Sequence, residues 1–139
     1  MEWTADFSLG IEEIDRQHKE LLRLFSMIEE AIVKDQGWSA IHYGLVEVKN
    51  IAQFHFRFEE ALMRLYGFPG LADHSESHQA IMQKLTATEQ ESLQSDAKQE
   101  MLKFFRDWMV SHIRDDDRAY AEFILGGARI VAPGEVKPV

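Results

Sequence analysis

Four helical stripes, each with histidine in it, limit what this chain can fold into more than any other feature. Ile11, Ile14, His18, Leu21, Phe25, Ile28 and Ile32 step by three and four residues without a break. Ile41, Leu45, Val48, Ala52, His55, Glu59 and Leu62 do the same, followed by Leu71, His74, His78, Ile81 and Leu85, then Met101, Phe105, Trp108 and His112. Such spacing marks the core-facing seam of a helix in a bundle, and no period-two pattern competes with it. Gly10, Gly37, Gly67, Gly70, Gly126 and Gly127 fall between or after the stripes, which predicts helices over 11–34, 38–66, 71–93 and 96–125. Short connections make successive helices antiparallel, so the expected fold is all-α, an up-down-up-down four-helix bundle. The expected domain covers 1–125 with an N-terminal arm at 1–10, and 126–139, which has no apolar period, is expected to be a tail.

The composition removes several function classes. At 139 residues, 45% hydrophobic and 28% charged, the chain fits a single soluble domain with a substantial core. A formal net charge of −9 argues against a phosphate-binding surface, so no nucleic-acid partner is expected. The absence of cysteine excludes disulfides, thiolate zinc sites and iron–sulfur clusters. No apolar run approaches the roughly 20 residues of a membrane span, and no basic, apolar leader opens the sequence. The expectation is a cytoplasmic protein with no membrane partner.

The histidines carry the chemistry. His18, His55, Glu59, His74, His78 and His112 occupy stripe positions that a bundle normally fills with Leu, Ile or Val. One buried histidine is usually a hydrogen-bonded core residue. Five of them, on all four stripes, would cost several kcal/mol each without strong partners, and metal ions supply such partners. His55 with Glu59, and His74 with His78, are i,i+4 pairs offset by only about 40° around a helix, so each pair aims at one spot. In "SHIRDDDR" one of Asp115, Asp116 and Asp117 lies within reach of the metal-binding face of His112. Ideal helix geometry ranks Asp116 first and Asp115 next. Five imidazoles and two carboxylates exceed what one ion can use. Two octahedral ions bridged by both carboxylates and by one solvent-derived oxygen would use all but one of their positions. Mixed imidazole and carboxylate ligation suits iron, and a vacancy on a redox-active pair suits dioxygen.

With these residues in hand, the sequence resembles the hemerythrin family, and within it the single-domain bacterial hemerythrins. The stretches that carry the likeness are "WTADFSLGIEEIDRQH" ending at His18, "HFRFEE" from His55, "HSESH" from His74 to His78, and "WMVSHIRDDD" from Trp108 to Asp117. The resemblance implies a non-haem di-iron centre in the bundle core: two iron ions (Fe2+/Fe3+) with a bridging oxo or hydroxo group, binding dioxygen reversibly. It implies that His74, His78 and His112 hold one iron, that His18 and His55 hold the other, and that Glu59 and Asp117 bridge them. The family's five-residue step from histidine to aspartate thus names Asp117. That step conflicts with a regular α-helix and is reconciled by a π-type turn, which brings i and i+5 together.

Around the open position Phe56, Trp108, Met109 and Ile113 are expected to form an apolar oxygen pocket. Reversible carriage, storage or delivery of dioxygen, without enzymatic turnover, is the leading expectation, because oxidising di-iron bundles are carboxylate-rich. The alternatives are a di-iron enzyme handling peroxide or nitric oxide, and an oxygen or iron sensor. An oxygen-accepting or redox partner is left unidentified.

The remaining polar residues have plainer readings. His42 is expected to flank the core. Asp15 belongs either to the acidic first turn or behind an imidazole. Asp73 and Glu76 have capping-box spacing. Glu60, about 100° around the helix from Glu59, is expected to meet solvent. Tyr120 and Trp3 are expected to close the ends of the bundle.

Overall fold

A computed structural model describes residues 3–91, 97–127 and 129–130, in which helices account for all the regular structure. A 3-10 turn at Ala5–Phe7 leads to α1 (Glu12–Val33), α2 (Trp38–Leu65), α3 (Leu71–Glu91) and α4 (Ala97–Met109). The chain then continues through a π-helical segment, Val110–Asp116, into α5 (Asp117–Leu125). Met109 and Asp117 both have right-handed helical dihedrals, so α4, the π segment and α5 form one continuous fourth rod. The helix limits agree with the sequence-based ones to within about two residues where both can be compared. The predicted end of helix three, the predicted start of helix four at 96, and most of the tail lie outside the described residues.

α1 packs on α2, α2 on α3, and the fourth rod closes the square against α1 and α3, giving the antiparallel four-helix bundle. Glycine enables two of the corners: Gly37 and Gly67 adopt φ of +94° and +65°, a left-handed region that costs other residues energy. Gly44 permits a close approach of α1 to α2, since a Cβ there would lie 2.8 Å from the Ile28 side chain. The N-terminal arm is tied down by Asp15, whose carboxylate accepts from the Ser8 hydroxyl at 2.8 Å and the Leu9 amide at 2.9 Å. Of the two readings open for Asp15 in the sequence, the imidazole partner is therefore not the one it adopts. α3 begins at Leu71, which puts Asp73 inside the first turn rather than at a capping position.

Two apolar clusters form the core. The larger includes Leu21, Phe25, Ile28, Ile41, Leu45, Ala52, Phe56, Leu85, Phe105, Trp108, Met109 and Ile113. The smaller joins Leu9, Ile14, Met63, Tyr120 and Ala121. On α1, His18 falls between Ile14 of the small cluster and Leu21 of the large one; on α2, His55 and Glu59 fall between Ala52 and Met63. The polar residues thus make a layer sandwiched between two hydrophobic ones, shielded from water above and below. Among the described residues no helix is long and apolar enough to cross a membrane.

Candidate metal centre

His18, His55, Glu59, His74, His78, His112 and Asp117 are all buried, and their donor atoms converge in that layer. They divide into two groups. Glu59, His74, His78, His112 and Asp117 each present an atom within 4.8 Å of the others, and so do His18, His55, Glu59 and Asp117. Glu59 and Asp117 belong to both. The Asp117 oxygens point opposite ways: Oδ1 lies 2.9 Å from His74 Nε2, and Oδ2 lies 2.8 Å from His18 Nε2 and 3.2 Å from His112 Nε2. Glu59 Oε1 lies 2.8 Å from His55 Nε2 and 3.5 Å from the Nε2 atoms of His78 and His112.

The π segment makes this possible. An α-turn would put residue i+5 about 140° away from His112, whereas a π-turn brings it onto the same face. The backbone records the widening directly, because the Asp117 amide donates to the His112 carbonyl five residues back. Asp117 is wholly buried. Asp116 is 48% exposed, and its closest approach to His112, 4.0 Å, is to Nδ1 on the ring's outer edge. Asp115 is exposed.

The donor set fits metal ions on its own physical terms. His18 Nε2, His55 Nε2, His78 Nε2, His112 Nε2, Glu59 Oε1 and Asp117 Oδ2 are buried atoms with no hydrogen-bond partner among the described residues. Each such atom costs about 1–3 kcal/mol if nothing binds it, and all six face one another. Their electrostatics lean the same way. Burial pushes the His18 imidazole well below its ordinary pKa, with His55 pushing in the same direction. Burial takes His74 down to about 4. It also lowers His112, although Glu59 opposes the shift. These rings are neutral at pH 7, the form that binds a cation. Burial works against the Glu59 charge, but His55, His112 and His78 outweigh it and hold Glu59 well below the usual carboxylate range. Burial, and then the like charge of Glu59, raise Asp117 well above its range. In the absence of ions, then, the two carboxylates are pushed apart, Glu59 toward its charged form and Asp117 toward its protonated one. Cations would favour the charged form of both.

Several outer partners are not evident from the sequence. Gln17 accepts from His55 Nδ1 at 2.7 Å, which fixes the tautomer and aims Nε2 inward. Glu60 meets solvent only in part, less than expected. Its side chain is only 21% exposed and reaches across to α3, with one oxygen 3.3 Å from His78 Nδ1 and the other accepting from the Ser75 hydroxyl. The reason is that a 100° rotation on α2 turns toward α3 rather than toward water. Tyr120 does not merely close an end of the bundle. It is fully buried and its hydroxyl donates to Glu59 Oε2. Burial and the adjacent Glu59 charge raise its pKa strongly, so it remains a donor. His42 lies apart from the cluster, edge-on to Tyr43 at 5.6 Å.

Phe56, Trp108, Met109 and Ile113 are all buried in the larger apolar cluster. Phe56 stacks on His78 with ring centroids 4.0 Å apart, and Trp108 stacks on His112 at 5.2 Å. These two rings therefore cover the three-histidine half directly, and Phe56 is also 5.7 Å from His55.

Comparisons with known proteins agree with this geometry. Residues 9–124 match the family model described as the hemerythrin HHE cation binding domain. The chain is 30% identical over 121 residues to a bacteriohemerythrin of Stenotrophomonas maltophilia, covering 86% of this chain and 78% of that one. It is 29% identical over 127 residues to a bacteriohemerythrin of Clostridium acetobutylicum, covering 86% and 98% of the two chains. A hemerythrin-like protein of Naegleria gruberi is 28% identical over 118 residues, covering 85% and 88%. With nearly all of its bundle inside the matched region, the chain belongs to the hemerythrin family.

Proposed function

We propose that this protein binds dioxygen reversibly at a pair of iron ions and that its role is carriage, storage or delivery rather than catalysis. His74, His78 and His112 hold one ion, His18 and His55 hold the other, and Glu59 and Asp117 lie between them. The observation that carries this reading is the division of the buried donors into two groups that share both carboxylates but differ by one imidazole. That inequality leaves one ion short of a protein nitrogen. Naming of the relatives as bacteriohemerythrins supports the choice of metal and ligand.

When bound, the ferrous pair supplies the electrons that hold dioxygen and recovers them on release. The chain does the rest. Gln17 and Glu60 orient His55 and His78 through their outer nitrogens. Tyr120 holds the far oxygen of Glu59. Phe56, Trp108, Met109 and Ile113 keep the layer dry, so that an anion separating from the site would find no water there to hydrate it. Among the described residues only two acidic side chains, Glu59 and Asp117, occur in the two donor groups, and neutral imidazoles favour the lower oxidation states of the metal.

The test is to reconstitute the apoprotein with ferrous iron under nitrogen, count iron per chain, then admit air and follow the visible absorption. Two ions per chain and a charge-transfer band that disappears under vacuum are expected. Irreversible bleaching to the oxidised form on first exposure would contradict carriage and favour a redox enzyme.

A further inference from the structure

The two halves of the centre have outer partners of different charge. On the three-histidine side, His78 turns Nε2 toward Glu59 and Nδ1 toward a carboxylate, Glu60 Oε2 at 3.3 Å. Glu60 is held in place from its other oxygen by the Ser75 hydroxyl, so a residue of α2 is clamped against α3 beside His78. On the two-histidine side, His55 Nδ1 faces the carboxamide oxygen of Gln17 at 2.7 Å, and Gln17 Nε2 donates to Glu13 at 3.3 Å, which fixes the orientation of the amide. A carboxylate behind an imidazole withdraws its proton partway and strengthens the bond that the opposite nitrogen makes to a cation. A neutral amide orients the ring without adding charge. The other rings differ again: His18 Nδ1 and His112 Nδ1 have no hydrogen-bond partner among the described residues.

We propose that Glu60, positioned by Ser75, sets the order in which the two ions bind: the His74/His78/His112 half fills first because His78 is backed by charge, and the His18/His55 half, backed by neutral Gln17, fills second and exchanges faster. Glu60 touches neither ion, so it is a positioning residue, and the inference rests on the two-ion reading above. It accounts for why the acid lies behind the half with more nitrogens and the amide behind the half with fewer. The poorer half would then hold its ion more weakly.

The probe is Co(II), titrated into the apoprotein under nitrogen and followed by calorimetry and by the visible absorption of the bound ion. The wild type should take up two ions in separable steps, and His55→Ala should abolish the weaker one, which identifies it. Glu60→Gln keeps an acceptor for His78 and removes only the charge. It should weaken the first step roughly tenfold or more and leave the second within about twofold. Ser75→Ala should move the first step in the same direction by less, and Gln17→Glu should tighten the second. Urea midpoints of the apo variants report folding separately. Two steps in the wild type that Glu60→Gln leaves unchanged, or shifts equally, would overturn this inference and leave the two-ion reading standing. Failure of the wild type to bind two ions would overturn that reading itself, and this inference with it.

Discussion

The apoprotein should lose stability as pH falls from about 6.5 to 4, and His74 allows the size of the loss to be worked out. Its folded pKa is lowered from 6.5 to about 4, mainly by burial. The unfolded chain therefore takes up a proton at His74 that the folded chain refuses, so stability is intact above 6.5 and declines until the folded ring also protonates near 4. A shift of that size corresponds to about 3 kcal/mol at about 1.4 kcal/mol per pH unit. His18 and His112 are lowered as well, by burial first, and add to the loss as pH falls below 6.5. Glu59, held below its usual range, adds to it only at still lower pH. Asp117 works the other way, since a raised carboxylate favours the folded state as it protonates. Three imidazoles against one carboxylate leave a net loss. Urea midpoints of the apoprotein at pH 7, 6, 5 and 4.5 measure it, and His74→Asn, which removes one titrating ring, should flatten the curve by about 3 kcal/mol across the window. A wild-type curve that is level or rises between pH 6.5 and 4 would refute the view that these rings are buried in the neutral form.

Other consequences follow from single contacts. Asp117→Ala should reduce bound iron below two per chain, whereas Asp116→Ala, 48% exposed, should leave the content unchanged; elemental analysis after desalting separates them. Tyr120→Phe leaves Glu59 Oε2 without its donor and should cost the apoprotein about 1–3 kcal/mol in urea unfolding. Gly44→Ala would place a methyl 2.8 Å from the Ile28 side chain and should destabilise the α1–α2 contact by about 1–3 kcal/mol, read as a lowered melting temperature.

The bundle was legible in the sequence because its signals are local. A stripe such as Ile11, Ile14, His18, Leu21 names a buried face without reference to any other helix, and Gly37 and Gly67 stop helices by their own backbone preference. The convergence of His55 with Glu59, and of His74 with His78, follows from helix pitch alone. Asp117 was harder. Pitch alone favours Asp116, and only the five-residue step of the family pattern pointed to the widened turn that the backbone adopts at Val110–Asp116.

What escaped the sequence depends on how the helices are rotated against one another. Glu60 sits one residue off its stripe, and whether that direction meets water or α3 is decided by packing. Gln17 and Tyr120 present the same difficulty. Each is polar and close in sequence to a predicted ligand, His18 or Asp117, and each is buried. A polar residue beside a ligand position, on a face the bundle geometry closes, is the signal that would have found them. The stacking of Phe56 and Trp108 on His78 and His112 likewise depends on side-chain directions that spacing alone cannot resolve.

Reversible dioxygen binding by a shared-carboxylate iron pair is tested most directly by gas stoichiometry. The ferrous protein, sealed with a known amount of oxygen, should take up one dioxygen for every two irons and return the same amount on degassing, over repeated cycles. Uptake that is never returned, or oxygen consumed well beyond one per iron pair, would contradict it.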